Sequence, residues 1–456
     1  MKKVLSPEIA VNPDIIRTGS RIYASGNAAT PQLLLRQLAI DENIKGVDLL
    51  GVLFLGDLGE LFSQKTCRRI THRIIFNSPH TREAANRGWA KYQLMHLGDI
   101  PKQLREYIRP DVALISVSGP DNGGNYSLGT TVEGVMAAVE SARRLNGTVI
   151  AERNAQMPFV LGTTIPEAAI DYIIDSDYAL PVSPVKPPDK AAVKIGELIA
   201  QTYINDRATL QYGIGQVPEA VTAAILRKGV RDLGIHTELF ADAMRDLVDA
   251  GIVTNRFTSA RDNFSVASIF LSGSREGYRW LDFNSSVQSR PSDFTNGILN
   301  IARQPNMVAI NSAIGVDLHG NIWADSLRAR KIYSGVGGQS DYIRGAHLSD
   351  GGVPIIALKA CTGKGISKIV DKCPAGITTT AIAADPVVIV TENGAFDPRG
   401  LSISERAVGI AHLAAPNIRE KLLRHIFDSP EFHQPRKSIQ RGTPKGFISS
   451  RSRPGS

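Results

Sequence analysis

Apolar residues along the first half of the chain follow two alternating patterns. Continuous apolar runs at 49–55, 111–117 and 148–151 predict buried strands. Apolar residues spaced by three and four over 32–39 and 131–145 predict amphipathic helices. Strands that alternate with helices in this way are typical of an α/β fold.

The second half repeats this alternation after a break in composition. Residues 180–189 read LPVSPVKPPD, and their four prolines are typical of a linker. Beyond the linker the pattern predicts helices and strands, which are helices at 193–202 and 404–426 and strands at 307–310, 354–358 and 387–391. The predicted divisions are an N-terminal domain at 1–182, a linker at 183–190, a C-terminal domain at 191–429 and a tail at 430–456.

An internal repeat supports two related halves. Residues that begin or follow a predicted strand recur 196 positions later, and the pairs are Val112 with Val308, Asp121 with Asp317, and Gly124 with Gly320. A second echo, 187 positions apart, pairs Gly26 and Pro31 with Gly213 and Pro218. We interpret the halves as two versions of one α/β unit. With so few matching positions, chance similarity between turns that follow strands remains the alternative.

The stretch at 209–238 carries the candidate chemistry. A β-prone run at 209–212 leads into the tight turn GIG at 213–215, whose amides are exposed, and then into a helix over 219–228. A buried strand at 233–235 then delivers His236 and Glu238 to one face. Exposed amides beside a carboxylate form a site where an acyl carbonyl is attacked and its oxyanion is held.

The same residues also have simpler explanations. A glycine pair without a third glycine is common in α/β folds and often binds nothing. A single glutamate such as Glu238 is commonly a solvated carboxylate. Spacing alone therefore leaves a catalytic site and an ordinary turn both open.

Composition restricts the class of protein. The chain has 456 residues, of which 43% are hydrophobic and 21% charged, as in globular proteins. Cys67, Cys361 and Cys373 lack CxxC spacing, which argues against a disulfide framework or a zinc site and favours a reducing compartment. The start, MKKVLSPEIA, has no apolar core typical of a secretory signal, and no apolar run approaches the ~18 residues of a membrane helix. We expect a cytoplasmic protein without metal or membrane association.

The net charge of +8 is concentrated at one end. Residues 434–456 contain no acidic residue, and their six basic residues are Arg436, Lys437, Arg441, Lys445, Arg451 and Arg453. The rest of the chain is nearly neutral. We interpret this segment as a disordered, solvated tail, in preference to a nucleic-acid or anionic-membrane site.

Several motifs together resemble a known family. They are LQYGIGQVPEAV at 210–221, LGIHTELFADAM at 233–244, VAINSAIGVDLHG at 308–320, YSGVGGQSDY at 333–342 and VTENGAFDPRG at 390–400. First-half motifs such as VSGPDNGGNYSLG and AERNAQMP belong to the same pattern. In this order they resemble the acetyl-CoA hydrolase/transferase family, part of the class I CoA-transferases, which includes 4-hydroxybutyrate CoA-transferases. The resemblance extends from about residue 15 to about residue 428.

The resemblance implies a fold and a set of site residues. It implies two similar open α/β domains with the active site between them, usually in a homodimer. Glu238 corresponds to the nucleophilic glutamate that becomes attached to CoA. The implied CoA-binding and oxyanion residues are Gly213, Ile214, Gly215, Asn296, Gly337 and Gly338.

The implied activity is transfer of CoA from a short-chain acyl-CoA, with acetyl-CoA the expected donor, to a small carboxylate. The acyl group stays activated throughout, so no cofactor beyond the CoA substrate is expected. His236 is expected to have a structural or positioning role. A thioester hydrolase acting at the same site and a non-catalytic CoA-binding or nucleotide-binding module remain the alternatives, and Glu238 separates the module from the enzymes.

Overall fold

The computed structural model describes residues 1–260, 263–329, 331–432 and 443–450. In the first half the strands are β1 (Lys2–Lys3), β2 (Arg21–Ala24), β3 (Val47–Val52), β4 (Ile70–Phe76), β5 (Lys91–Tyr92), β6 (Val112–Val117), β7 (Asn125–Ser127), β8 (Thr148–Asn154), β9 (Thr164–Pro166) and β10 (Tyr172–Ser176). The α-helices of this half are α1 (Pro7–Ala10), α2 (Gln32–Ile40), α3 (Gln64–Cys67), α4 (Arg82–Arg87), α5 (Ile100–Gln103) and α6 (Val135–Arg144).

The second half continues the alternation. Its strands are β11 (Thr209–Tyr212), β12 (Gly234–Ile235), β13 (Leu239–Phe240), β14 (Ser265–Ala267), β15 (Ile269–Phe270), β16 (Val287–Ser289), β17 (Met307–Asn311), β18 (Gly315–Asp317), β19 (Ile322–Trp323), β20 (Ser326–Arg328), β21 (Lys331–Ile332), β22 (Val353–Ala357), β23 (Ile369–Val370), β24 (Val388–Thr391), β25 (Gly394–Phe396) and β26 (Phe447–Ser449). Its α-helices are α7 (Lys190–Tyr203), α8 (Gln216–Lys228), α9 (Asp242–Asp249), α10 (Arg275–Leu281), α11 (Ser292–Thr295), α12 (Ile298–Ala302), α13 (Gln339–Leu348), α14 (Ile403–Leu413) and α15 (Pro416–Asp428).

Two large sheets organise the described chain, and the parallel cores of both sheets have the same strand order. In the first sheet the order is β1-β10-β8-β6-β2-β3-β4-β5, and in the second it is β12-β11-β17-β22-β24-β25-β26. The parallel core β3-β2-β6-β8-β10 of the first sheet thus matches β12-β11-β17-β22-β24 of the second. The predicted α/β fold with two similar open domains is confirmed.

The repeated turn predicted from the sequence also has the same hydrogen bonds in both halves. The Asp121 carboxylate accepts hydrogen bonds from the amides of Gly123 and Asn125, at 2.8 Å each. In the second half the Asp317 carboxylate accepts them from the amides of His319 and Asn321, at 3.0 and 2.9 Å. An aspartate that caps its own turn in this way fixes how the chain leaves a strand.

Helix α8 illustrates how the sequence determines an element. Ala220, Val221, Ala224 and Ile225 form its buried face, as the spacing predicts, and α7 packs beside it. Gly229 ends the helix with a φ of 75°, a left-handed conformation that glycine adopts without strain.

Other boundaries differ from the predictions. The helix expected over 131–145 begins only at Val135, because Thr131 pairs instead with Ile269 of the other half. The helical end expected over 404–426 is two helices, since Pro416 lies in the first turn of α15 and cannot continue α14.

The prediction of a disordered tail is wrong for part of it. Phe432 is buried, and its ring lies 4.9 Å from that of His319. Strand β26 pairs antiparallel with β25 at the edge of the second sheet. The short apolar run Phe447-Ile448 was sufficient to form an edge strand. The remainder of the predicted tail, 433–442 and 451–456, lies outside the described residues.

The two halves share apolar packing where their sheets meet. Leu239 and Ile269 of the second half pack with Leu128 and Val132 of the first. Backbone hydrogen bonds also cross between the halves, from Val132 to Ser268 and from Leu97 to Gly337. Among the helices of the described chain, none is long and apolar enough to span a membrane.

Candidate active site

Glu238 lies where the two halves meet. Strand β12 ends at Ile235, and the His236 amide continues its pairing by donating to the Leu210 carbonyl. The backbone carbonyl of Glu238 accepts hydrogen bonds from the amides of Ser268 and Ile269 and from the Ser268 hydroxyl. These bonds fix the backbone of Glu238, whose side chain is half-buried.

Asn296 supplies a donor to the Glu238 carboxylate. Its Nδ2 lies 2.8 Å from Oε2 of Glu238. The orientation of the amide follows from its neighbours, because Nδ2 also lies 3.4 Å from Oδ2 of Asp341 and a turned amide would place Oδ1 against two carboxylates. The Thr295 hydroxyl donates to Oδ1 at 2.9 Å. Asn296 is itself buried. The predicted site residue therefore lies beside the predicted nucleophile in a fixed orientation.

The backbone of Gly337 and Gly338 lies close to the Glu238 carboxylate. A Cβ atom on Gly338 would lie 1.9 Å from Oε2 of Glu238 and 2.0 Å from Nδ2 of Asn296. The Gly338 amide also donates to the Glu238 carboxylate. Gly337 has a φ of 62°, and a Cβ on it would lie 3.9 Å from Oε1 of Glu238. Glycine at 338 thus permits a backbone amide to approach the carboxylate closely.

A second carboxylate lies behind Asn296. Oδ2 of Asp341 accepts a hydrogen bond from the Gly98 amide at 3.1 Å and lies 3.4 Å from Nδ2 of Asn296. Asp341 is buried in helix α13, and Gly98 belongs to the first half. The Asn296 amide is therefore placed between two carboxylates.

The electrostatics of this group favour a reactive Glu238. Burial raises the pKa of Glu238 to about 7; the Asn296 hydrogen bond opposes this, the Asp341 charge adds to it, and the Gly338 amide opposes it. Burial likewise raises the pKa of Asp341 to about 7 against the Gly98 and Asn296 hydrogen bonds, with the charge of Asp99 adding to the rise. A carboxylate in such surroundings is poorly solvated and more nucleophilic than one in water.

His236 lies beside the site, with one ring nitrogen bound to the backbone. Its Nε2 lies 2.9 Å from the Thr295 carbonyl, which can only accept, so Nε2 carries the proton. Burial lowers the pKa of His236 to about 4, so the ring is neutral. The Tyr342 hydroxyl donates to the same carbonyl at 2.8 Å. Together they hold the backbone that positions Asn296.

The glycine turn at 213–215 lies at the same edge of the sheet but is more open. It follows β11, the neighbour of β12, so the turn and Glu238 leave adjacent parallel strands. No atom lies within 4 Å of a Cβ built on Gly213, and Ile214 is exposed. Ile214 lines a groove with Val185 and Lys186 of the proline-rich segment. Among the contacts of the described residues none joins Gly213, Ile214 or Gly215 to the Glu238 carboxylate, and their role stays a prediction.

Sequence reasoning missed Asp341 and Glu133. Asp341 stands inside the quoted motif YSGVGGQSDY, three residues after Gly338, which places it in the first turn of α13. Glu133 is a lone carboxyl in the apolar run TTVEGVMAAV, a pattern that signals a buried acid. Within the described residues no group of three or more His, Cys, Asp or Glu side chains is placed to hold a metal ion.

Comparison with known proteins places the chain in a family. Residues 1–184 match the acetyl-CoA hydrolase/transferase N-terminal domain, and residues 273–426 match the C-terminal domain of the same name. The 4-hydroxybutyrate coenzyme A transferase of Clostridium kluyveri is 35% identical over 93% of this chain and 97% of its own length. The succinyl-CoA:acetate/propanoyl-CoA:succinate CoA transferase of Fasciola hepatica is 34% identical over 92% of this chain and 88% of its own.

A solved structure agrees with these sequence matches. RipA from Yersinia pestis superposes with a TM-score of 0.86 at 30% identity, over 93% of this chain and 98% of RipA. The family models together cover more than half of the sequence, and the relatives cover nearly all of it. The chain therefore belongs to the acetyl-CoA hydrolase/transferase family and is an enzyme of that family.

Proposed function

We propose that the protein transfers CoA from a short-chain acyl-CoA, acetyl-CoA being the expected donor, to a carboxylate acceptor through a glutamyl-CoA thioester at Glu238. One observation carries the proposal: the Glu238 carboxylate faces the side-chain amide of Asn296 and the backbone amide of Gly338. Two fixed donors beside a poorly solvated carboxylate suit a group that is attacked at its own carbonyl carbon. A module that only binds CoA needs no such carboxylate.

The first half-reaction begins with Glu238 as the nucleophile. Its carboxylate oxygen attacks the thioester carbonyl carbon, the C–S bond breaks, and CoA leaves as a thiolate. The product is a mixed anhydride between the acyl group and Glu238. The thiolate then attacks the Glu238 carbonyl carbon, which releases the first carboxylate and leaves a glutamyl-CoA thioester.

The second half-reaction runs through the same steps in reverse. The acceptor carboxylate attacks the glutamyl thioester, CoA thiolate leaves, and the thiolate then attacks the acceptor carbonyl of the new anhydride. Glu238 is regenerated as a carboxylate. No net proton is taken up or released, and the acyl activation is conserved in every intermediate, so the reaction needs no separate energy source.

Asn296 and Gly338 stabilise the transition state in the steps in which the carbonyl carbon of Glu238 is attacked. In those steps negative charge develops on the glutamyl oxygen that already accepts their hydrogen bonds. Donors that are in place before the charge appears need no reorganisation, and each such donor contributes about 10²–10³-fold in rate. Thr295, held by His236 and Tyr342, keeps the Asn296 donor aimed at that oxygen.

The decisive experiment offers acetyl-CoA together with a panel of short carboxylates and measures new acyl-CoA species by mass. We expect at least one carboxylate to be converted. Acetyl-CoA alone should attach CoA to the peptide that contains Glu238, as an adduct that hydroxylamine removes. A Glu238→Ala variant should bind acetyl-CoA but form neither adduct nor product. Exchange at the wild-type rate by that variant would remove Glu238 from the mechanism.

Two further properties belong to the proposal. The family resemblance implies a homodimer, which light scattering of the purified protein tests directly. A cytoplasmic location and the absence of a nucleic-acid partner are expected from the sequence.

A protein that binds acetyl-CoA but yields no adduct and no product with any carboxylate would instead be a binding module.

A further inference from the structure

Glu133 is a buried carboxyl that the mechanism above does not use. It lies just before helix α6, and its side chain is 0% exposed. Its Oε1 accepts a hydrogen bond from the Tyr23 hydroxyl at 2.8 Å, and Tyr23 is also buried. Its Oε2 is shielded from solvent and has no hydrogen-bond partner. An ionised carboxylate with a single donor in such a place is costly, so the unpartnered oxygen is suited to carry a proton.

The backbone ties Glu133 to the site. The Val132 amide donates to the Ser268 carbonyl, and the Phe270 amide donates to the Thr130 carbonyl. Ser268 in turn holds the backbone carbonyl of Glu238 through both its amide and its hydroxyl. The segment at 268–270 is therefore hydrogen-bonded on one side to residues 130–132, next to Glu133, and on the other side to Glu238.

Within the described chain, no cationic side chain is among the groups that shift the pKa of Glu133 or of Glu238. Arg105 pairs with Glu140 and Asp293. Two apolar side chains face the turn at Gly134: Ile100 at the start of helix α5 and Leu104 directly after the helix. The titratable groups that face Glu133 are thus Tyr23 from β2 and Glu238 across the 268–270 segment.

We propose that Glu133 is a proton-holding positioning residue: it stays neutral while Glu238 is ionised, so that the nucleophile carries the only negative charge of the pair, and exchange stops when Glu133 also loses its proton. The proposal rests on the role of Glu238 proposed above. A second buried anion beside the site would oppose both ionisation of Glu238 and entry of a carboxylate acceptor, because like charges repel strongly in poorly solvated surroundings.

The protonation order of the two groups agrees with this role. Burial raises the pKa of Glu133 to about 8, the Tyr23 hydrogen bond opposes the rise, and the charge of Glu238 adds to it. The pKa of Glu238 is raised to about 7. Its carboxylate has the Asn296 and Gly338 donors, whereas Glu133 has a hydrogen bond from Tyr23 on one oxygen and none on the other, so Glu238 loses its proton first. Burial and the Glu133 charge raise the pKa of Tyr23 well above its usual range, so Tyr23 stays a neutral donor. The active state, with Glu238 ionised and Glu133 protonated, is most populated between these two values.

The test compares pH profiles of kcat/KM for exchange in the wild type, Glu133→Gln and Tyr23→Phe. In the wild type we expect a tenfold fall per pH unit above about pH 8. Glutamine is neutral at every pH, so Glu133→Gln should lose less than tenfold at pH 7 and lack the alkaline fall. Tyr23→Phe removes the hydrogen bond that lowers the pKa of Glu133, so its alkaline fall should move to higher pH. An alkaline fall in Glu133→Gln that matches the wild type would overturn the proposal.

A second readout does not depend on turnover. A group whose pKa is raised on folding stabilises the protein at low pH and loses that contribution as pH rises toward the folded pKa. The thermal midpoint of the wild type should therefore fall relative to Glu133→Gln from about pH 5 to pH 8 and then run parallel to it. If exchange is absent with every carboxylate, this difference still tests the proton on Glu133. A constant offset between the two proteins over this range would show that Glu133 has only a packing role.

Discussion

Asn296 donates a hydrogen bond from Nδ2 to Oε2 of Glu238 over 2.8 Å, and its orientation is fixed because the same Nδ2 lies 3.4 Å from Oδ2 of Asp341. The donor belongs to the residue that follows α11, whereas the acceptor follows β12, 58 positions earlier in the chain. A side-chain donor held this firmly can stabilise negative charge on the glutamyl oxygen without first rearranging.

Replacing Asn296 with Asp tests this donor. The substitution keeps the shape of the side chain but removes the N–H groups and adds a third acid beside Glu238 and Asp341. We expect kcat for exchange to fall by about 10²–10³-fold. The measurement is steady-state exchange with acetyl-CoA at saturating acceptor. Asn300→Ala, which removes an amide that donates to the Phe294 carbonyl, is the control and should stay near the wild-type rate. Equal rates in the two variants would contradict the role of Asn296.

Gly338→Ala tests the close approach of the Gly338 backbone to the Glu238 carboxylate. The backbone at Gly338 has a φ of −98°, which alanine adopts easily, so the effect arises only from the new methyl group. That group would lie 1.9 Å from Oε2 of Glu238 and must displace the carboxylate. We expect a loss of exchange of about 10²-fold or more, since such misplacement is costly, with little change in thermal stability. Gly119→Ala, where a methyl group meets no atom within 4 Å, should keep its activity.

Asp341→Asn tests the charge behind Asn296 through its pH dependence. Glu238 must be ionised to react, so wild-type exchange should rise as pH increases through about 7. Burial is the main reason for this raised pKa, and the charge of Asp341 adds to it. Removing that charge should lower the pKa of Glu238 and move the acidic limb of the kcat/KM profile to lower pH. Asp350→Asn, at an exposed position beyond α13, should leave the limb in place. A limb that does not move in Asp341→Asn would exclude this coupling.

Deletion of residues 434–456 tests the edge strand that the sequence did not predict. The sequence predicts a disordered, solvated tail here, but Phe447 packs closely on β25: a Cβ on Gly394 would lie 2.4 Å from the Phe447 ring. Loss of this apolar contact should cost about 2 kcal/mol and lower the thermal midpoint, while exchange at 25 °C persists because β26 is far along the sheet from β12. Deleting 451–456 alone is the control. A deletion of 434–456 with an unchanged melting curve would show that β26 contributes nothing.

The sequence predicted features that depend on local pattern. The face of α8, the glycine that ends it and the repeated aspartate turns follow from spacing within a few residues. The family motifs also predicted that Glu238, Asn296 and Gly338 belong to one site, and the three lie together. The sequence could not predict contacts that depend on how the two halves of the chain pack against each other. Gly98 and Asp341 are 243 positions apart, and Tyr23 and Glu133 are 110 apart, so no local pattern links either pair. Short strands such as β26 also depend on the partner they meet rather than on their own propensity.

The choice between transferase and hydrolase depends on whether water can attack the glutamyl thioester. Attack by water requires a base near Glu238 to take the proton, whereas attack by a carboxylate anion requires none. His236 is poorly suited to that task, because its Nε2–H is engaged with the Thr295 carbonyl and burial lowers its pKa to about 4. The Asp341 carboxylate accepts a hydrogen bond from the Gly98 amide and lies 3.4 Å from Nδ2 of Asn296, so both neighbours engage it.

We therefore predict ping-pong exchange with slow hydrolysis. Initial rates measured against acetyl-CoA at several acceptor concentrations should give parallel double-reciprocal lines, because the first carboxylate leaves before the second binds. Without an acceptor, acetate should be released in one rapid burst of at most one equivalent per Glu238, while CoA stays attached to the enzyme and free CoA appears only slowly. His236→Gln is the informative variant: it keeps a donor for the Thr295 carbonyl, so the slow hydrolysis should be unchanged if His236 is structural. Rapid steady release of CoA without any carboxylate, lost in His236→Gln, would identify the protein as a hydrolase with His236 as its base.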